Sequence, residues 1–153
     1  MDLWRLCRRP YADLSGEGAR IYGGRWNSPG RPLVYLAEHP ALAALEVRVH
    51  LDLPFELLPN DYVLVRVALP DSLVTTIDTP PGETMSVLQT VAAGDAWLAQ
   101  ANSVALRVPS VLMPYAWNVL LNPRHADSDQ VSITGIEAFH FDTRLWEPLG
   151  GEH

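Results

Sequence analysis

Glu46 is an acid inside the apolar run ALAALEVRVHL, and its setting calls for a chemical reason. On a helix, Leu42, Leu45 and Val49 form a stripe, and a step of about 100° per residue puts Glu46 roughly 40° from Leu42, at the stripe's border. The tail EVRVHL also alternates as a strand does, which would set Glu46, Arg48 and His50 on one face against Val47, Val49 and Leu51. The helix reading leaves the carboxylate partly buried, and its ordinary partner would be an arginine or His50, four residues on. Arg25 follows two glycines in YGGRWN. Glycines let a ligand reach the backbone, and a guanidinium can hold phosphate oxygens through two parallel hydrogen bonds, so a diphosphate clamp fits these letters. A hairpin with an exposed arginine fits them too. Tyr35, in the apolar stretch LVYLA, can stack on a flat ring or sit in the core with its hydroxyl satisfied.

Ser110 follows Pro109, and the stretch VPSVLMPYAWNVLLNPRH places Asn118, Asn122 and His125 close behind it. Polar residues on irregular backbone beside apolar runs often line pockets. The serine has no GxSxG elbow around it, which argues against an acyl-transfer triad. His125 and His140 lack companions at metal-ligand spacing, and HExxH, CxxC, the P-loop and GxGxxG are all missing from the sequence. No metal is expected.

These residues must be positioned by short elements, because 13 prolines and 10 glycines punctuate the chain. Strands are expected at Leu3 to Cys7, at Ala19 to Trp26 with a break at its glycines, and at Leu33 to Ala37, with a turn over Asn27 to Pro32. Pro40 stands at a first helical position and opens an alanine-rich helix. Tyr62 to Leu69 alternates as a half-buried strand, and Ser72 to Ile77 is a further candidate. Thr79 to Thr84 reads as a proline loop, Val87 to Gln100 as a second main helix despite Gly94, and Val104 to Val108 as a strand. Ser110 to Asp129 carries few regular signals, and Ile136 to Phe141 looks like the last strand. The expectation is an α+β fold with a mixed, mainly antiparallel sheet and few helices.

The 153 residues suit one compact domain, residues 1–153, able to bury about 70% of the unfolded chain's surface without disulfides or metal. Cys7, the single cysteine, has no internal partner. Hydrophobic residues make up 48% and charged residues 19%, which excludes a disordered polyelectrolyte, and no apolar run is long enough to span a membrane. The start MDLWRLCRRP lacks the apolar region of a signal peptide, so a cytoplasmic location is expected. There is no lysine: 11 arginines stand against 18 acids, giving a net charge of -7, which disfavours direct nucleic-acid binding. An all-arginine chain is well supplied for holding phosphates, and GC-rich coding produces the same bias. Six of the arginines fall within residues 1–31 against three acids, so an anion site or a solvated basic surface belongs to the first part of the chain.

Together these pieces resemble the RES family, the toxin halves of bacterial toxin-antitoxin pairs, named for an Arg, a Glu and a Ser. The resemblance runs through LWRL, GARIYGGRWNSPGRPLVYLAEHPALAALEV, VPSVLMPYAWNVLLNPRH and FHFDTRLW, while residues 55–100 carry little of it. Position by position, the named residues fall on Arg25, Glu46 and Ser110, and Tyr35 matches a functional tyrosine. The resemblance implies a fold related to ADP-ribosyltransferase toxins and an activity that consumes NAD as substrate, by hydrolysis, phosphorolysis or transfer of ADP-ribose to an acceptor. It also implies an Xre-type helix-turn-helix antitoxin as partner, which would supply any DNA binding.

The roles implied are Arg25 on the diphosphate, Tyr35 stacked on nicotinamide or ribose, Glu46 beside the ribose, and Ser110 orienting a hydroxyl or the carboxylate. Asn27 and Asn118 are further candidates for contact with the dinucleotide. A rival reading is a non-enzymatic interaction module, in which Glu46 is a salt-bridge partner and the arginine-rich start docks an acidic protein.

Overall fold

The computed structural model describes residues 1–79 and 84–146. The middle of the expected proline loop, residues 80–83, lies outside them. Among the described residues three α-helices are formed, α1 (Glu17–Tyr22), α2 (Pro40–Arg48) and α3 (Val87–Gln100). The strands are β1 (Asp2–Arg8), β2 (Val34–Ala37), β3 (Tyr62–Ala68), β4 (Val74–Thr76), β5 (Ala105–Pro109), β6 (Trp117–Leu121) and β7 (Ser132–Ala138). They make one seven-stranded sheet in the order β4-β5-β6-β2-β1-β3-β7. All neighbours are antiparallel except β4 and β5. This is the expected α+β fold with a mixed, mainly antiparallel sheet.

The period of two in a strand sends alternate side chains to opposite faces. One face carries Leu3, Val34, Leu36, Val63, Val65 and Val67 in a common core. On the other, Trp97 and Leu98 of α3 pack on Leu106, Val108 and Leu120, while Leu42 and Ala43 of α2 pack with Leu6, Ala37 and Phe141. Helices α2 and α3 therefore cover different parts of one sheet face. Both start with local caps: the His39 ring accepts from Ala41 N–H ahead of Pro40, and Ser86 with Gln89 forms a reciprocal capping box.

Pairing is uneven along the sheet, and the unevenness creates the site. Strand β1 is laddered to β3 along its whole length, from Asp2–Ala68 to Arg8–Tyr62. It meets β2 only at Trp4–Ala37. Past that pair, the two strands stop bonding to each other, and Arg5 and Leu6 of β1 and Val34 to Leu36 of β2 become walls of a cavity.

Three sequence expectations are corrected. Ala19 to Trp26 is not a strand: its first part is α1, and the rest is a tight turn closed between Gly24 and Asn27. The six-residue helix is too short to show a period, and Ile21 and Tyr22, both exposed, gave the stretch a false strand character. Ser110 to Asp129 is not irregular throughout, since β6 runs through it as a central strand. Val119, Leu120 and Leu121 are buried in succession, so no alternation marks it. The last strand is Ser132–Ala138 rather than Ile136 to Phe141; Phe139 and Phe141 lie beyond it, with Phe141 buried among Tyr62, Leu42 and Ala43. The ambiguous EVRVHL resolves as helix up to Arg48, whose guanidinium stacks 4.0 Å above Trp146.

Candidate active site

The cavity at the β1–β2 seam has a volume of about 810 Å³, within the usual range for small-molecule sites. Arg25, Tyr35, Glu46 and Asn118 all line it. Four separate elements thus bring these side chains to one space: the Gly24–Asn27 turn, β2, α2 and β6.

Arg25 and Trp26 are the corner residues of the turn, closed by Gly24 N–H to Asn27 carbonyl at 3.0 Å. Trp26 is buried in the core under α3 and, like Arg25, contributes to the cavity lining. One Arg25 nitrogen, Nη2, donates to the Met85 carbonyl at 3.4 Å. Its Nε is buried without a hydrogen-bond partner. A buried donor left unpaired costs free energy, so this nitrogen is a place for an acceptor brought by a ligand.

Tyr35 is half-buried, and its hydroxyl is fully employed by the turn. It accepts from Trp26 N–H at 2.9 Å and donates to Asn27 Oδ1 at 2.7 Å. Burial pushes this phenol up to about 12. The approach requires Gly24, because a Cβ there would lie 2.6 Å from the Tyr35 hydroxyl. With its hydroxyl engaged, Tyr35 has its ring to present to the cavity.

Asn27 is not among the lining residues. It is buried, its Nδ2 donates to the Ala19 and Ser28 carbonyls, and its Oδ1 takes the Tyr35 proton. Its polar atoms hold the turn together, and the sequence alone did not separate this bracing task from ligand contact.

Glu46 sits on the last turns of α2, and Oε1 is buried without a hydrogen-bond partner. Burial raises its pKa above the ordinary glutamate value, against the opposing pull of the polar side chains of Asn118 and Ser110 and of nearby His50 and Arg25; Asn118 Nδ2 itself donates to the Leu36 carbonyl at 3.3 Å. Asn118 stands opposite Ala37 in the β2–β6 ladder, two residues along the sheet from the Tyr35–Leu120 pair, so it shares their face. Ser110 itself does not line the cavity, but its flanking residues Pro109 and Val111 do. The Ser110 Oγ accepts from Leu112 N–H at 3.1 Å and Met113 N–H at 3.2 Å. Both Oγ lone pairs are thereby engaged, which leaves the hydroxyl proton for a further acceptor.

Asn122 and His125 sit elsewhere. Asn122 Oδ1 accepts from Arg124 N–H, and His125 Nε2 lies 3.0 Å from the Ala101 carbonyl at the end of α3. Val49, expected in the buried stripe, is exposed and lines the cavity with His50. Sequence reasoning passed over Trp4 and Arg5 as cavity walls. It also passed over Thr90, Gly94 and Asp95, which grip the Arg25 turn from α3. Gly94 was the available signal: a glycine in mid-helix costs about 1 kcal/mol against alanine and marks a close backbone approach. Among the described residues there is no cluster of three or more His, Cys, Asp or Glu able to hold a metal ion. Nor is any helix there long and apolar enough to cross a membrane.

An antiparallel-rich α+β sheet with an acid and an arginine lining one cavity at a seam defines a class of small-ligand site that comparison with known proteins makes specific. The RES domain family model matches residues 2–142, and the chain belongs to that family. It is 40% identical over 149 residues to Toxin Res of Pseudomonas putida, covering 95% of this chain and 100% of the relative. It is 33% identical over 156 residues to a Prs ADP-ribosylating toxin of Sphingobium sp., covering 94% and 96%. A chain of the M. tuberculosis MbcT-MbcA toxin-antitoxin complex shares the fold, with a TM-score of 0.73 and 21% identity over 91% of this chain and 84% of that one.

Proposed function

We propose that the whole chain is one NAD-consuming domain, the toxin of a toxin-antitoxin pair, which breaks the nicotinamide–ribose bond of NAD. The observation that carries this reading is that Arg25 and Glu46 line one cavity, each with a buried polar atom lacking a partner: a donor at Nε and an acceptor at Oε1. A dinucleotide supplies the complement of both, anionic diphosphate oxygens for the first and ribose hydroxyls for the second.

Nicotinamide leaves as a neutral molecule, taking the electron pair of the C1′–N bond, so a general acid is less needed than in ordinary glycoside cleavage. Positive charge develops on the ribose. The Glu46 carboxylate, hydrogen-bonded to a ribose hydroxyl through Oε1, stabilises that charge more in the transition state than in the ground state. Its raised pKa is the sign of a charge held in a poorly solvated place, and the developing cation relieves that cost. Ser110 and Asn118 donate to the carboxylate and fix its orientation. Arg25 holds the diphosphate, and the Tyr35 ring stacks on nicotinamide or ribose. Asn27 acts through Tyr35 and the turn. Water or phosphate then attacks C1′ and releases its proton to solvent.

Transfer of ADP-ribose to a cellular acceptor is a second reading, favoured by the Sphingobium relative whose name is that of an ADP-ribosylating toxin. The partner proposed is an antitoxin of the Xre helix-turn-helix type, supported in its general class by the toxin-antitoxin complex that shares this fold. The site of action proposed is the cytoplasm, where NAD is plentiful.

Release of nicotinamide from NAD by the purified chain, with and without phosphate, tests the reading. Release is expected, and intact NAD at high enzyme concentration would overturn it. Labelled adenylate retained on an acceptor, rather than in free ADP-ribose or its phosphate, would favour the second reading.

A further inference from the structure

The Arg25 turn is held by one face of α3, at residues that do not line the cavity. Thr90, which is buried, donates its Oγ1 proton to the Arg25 carbonyl at 2.6 Å. One helical turn on, Gly94 lies so close to the next residue that an added Cβ would stand 1.7 Å from the Trp26 carbonyl oxygen. Asp95 accepts from Ser28 N–H at 2.9 Å and from Ser28 Oγ at 2.6 Å. Just ahead of α3, the Met85 carbonyl takes the Nη2 proton of Arg25 itself. The Arg25 and Trp26 carbonyls and Ser28, just past the turn, are therefore fixed against α3, and one end of the guanidinium against the residue just ahead of that helix's cap.

This arrangement exceeds what the turn needs to close, because Gly24, Asn27 and Tyr35 already bond it internally. What α3 adds is the turn's placement against the sheet, and so the direction in which Arg25 offers its free Nε. A displacement of about 1 Å at a binding group far from the chemistry can cost on the order of a hundredfold.

We propose that Thr90 and Asp95 are positioning residues that set the affinity for the substrate's diphosphate by fixing Arg25 from α3, without touching the ligand. The proposal rests on the reading of Arg25 as the diphosphate-binding group. It extends the site to a helix in the part of the chain that carries least of the family resemblance.

The test uses the full chain with Thr90→Val, Thr90→Ser, Asp95→Asn and Arg25→Ala, each checked by thermal melt. Thr90→Val keeps the side-chain volume and removes the donor. It should raise the NAD KM about tenfold with kcat within about twofold, whereas Thr90→Ser, which keeps the donor, should restore the wild-type KM. Asp95→Asn should show a smaller rise in KM and serves in place of Thr90→Val should that variant fail to fold. In the Arg25→Ala background, Thr90→Val should change KM no further. An equal factor in both backgrounds, or no effect in the wild-type background, would overturn the proposal.

Inorganic pyrophosphate binding, followed by calorimetry, separates this proposal from the NAD reading. If the wild-type chain releases no nicotinamide yet binds pyrophosphate in a way that Thr90→Val weakens and Thr90→Ser restores, the positioning role stands and the NAD reading fails. If Thr90→Val leaves pyrophosphate binding unchanged, or the wild-type chain binds none, the positioning role fails.

Discussion

The two walls of the cavity are built on opposite principles. On the Arg25 wall, the hydrogen-bonding groups of the turn are largely satisfied by protein: Tyr35, Asn27, Thr90 and Asp95 leave Arg25 Nε as its buried exception. The Glu46 wall keeps its tension. Its carboxylate is half-buried at the end of a nine-residue helix, its pKa is pushed up by burial, and exposed apolar residues such as Val49 and Val111 flank it in the lining. A preorganised wall suits the part of a substrate that does not react, because holding it costs no reorganisation. An electrostatically unsatisfied wall suits the part where charge appears, because the energy is released only as the charge forms.

Substitutions on the two walls should therefore differ in kind. Glu46→Gln should lower kcat for nicotinamide release by on the order of a hundredfold to a thousandfold, with KM little changed, as steady-state kinetics would show. Arg25→Ala should act chiefly on KM, raising it roughly tenfold to a hundredfold, the range expected for lost hydrogen bonds to a charged group. If the two variants gave the same pattern, the contrast between the walls would be lost.

Gly94→Ala sharpens the contrast from behind the Arg25 wall. Its Cβ would overlap the Trp26 carbonyl oxygen, so helix or turn must move. A loss of about 1–3 kcal/mol is expected, a drop of roughly 3–10 °C in Tm for a chain of this size, together with a raised KM. A melt unchanged from wild type would show that the turn and α3 are not in rigid contact.

The smallest effects concern the protonation of Glu46. The folded-state pKa is raised, so the folded chain binds this proton more tightly than the unfolded one. Stability from this group is greatest at low pH and falls as pH rises from the ordinary glutamate value through the raised one. On the proposed mechanism activity should run the other way, because the carboxylate would be the working form. The acid limb of kcat/KM should have its midpoint above the usual glutamate range, and Ser110→Ala, which removes a polar neighbour favouring the charged form, should move that limb to higher pH. Glu46→Gln should be more stable than wild type at neutral pH by about 1–3 °C, since it relieves a desolvated charge. A destabilised Glu46→Gln would mean that the carboxylate is a structural partner, as in the interaction-module reading.

Much of the sheet was legible because its strands carry strong local signals. Tyr62 to Leu69 alternates and becomes β3, and Leu33 to Ala37 contains β2. Val87 to Gln100 is α3 to the residue, its start fixed by the Ser86–Gln89 capping box. What local pattern could not show is what tertiary contacts impose. Strand β6 is buried in a central position and lacks alternation, and α1 is too short for a period. In the site, Arg25, Tyr35, Glu46, Ser110 and Asn118 were visible as polar or aromatic residues in apolar or glycine-rich settings. Asn27 was visible for the same reason, although its polar atoms are turned to the protein. Thr90 and Asp95 were invisible, because on a helix their letters are ordinary and only the arrival of a turn from 65 and 67 residues away gives them a task.

The most direct test of the central claim is a crystal structure of the Glu46→Gln variant with NAD. One NAD molecule should span the β1–β2 seam, with a diphosphate oxygen within hydrogen-bond distance of Arg25 Nε and the nicotinamide ribose against the substituted side chain of α2. NAD bound with its diphosphate away from Arg25, or in another part of the molecule, would contradict the account.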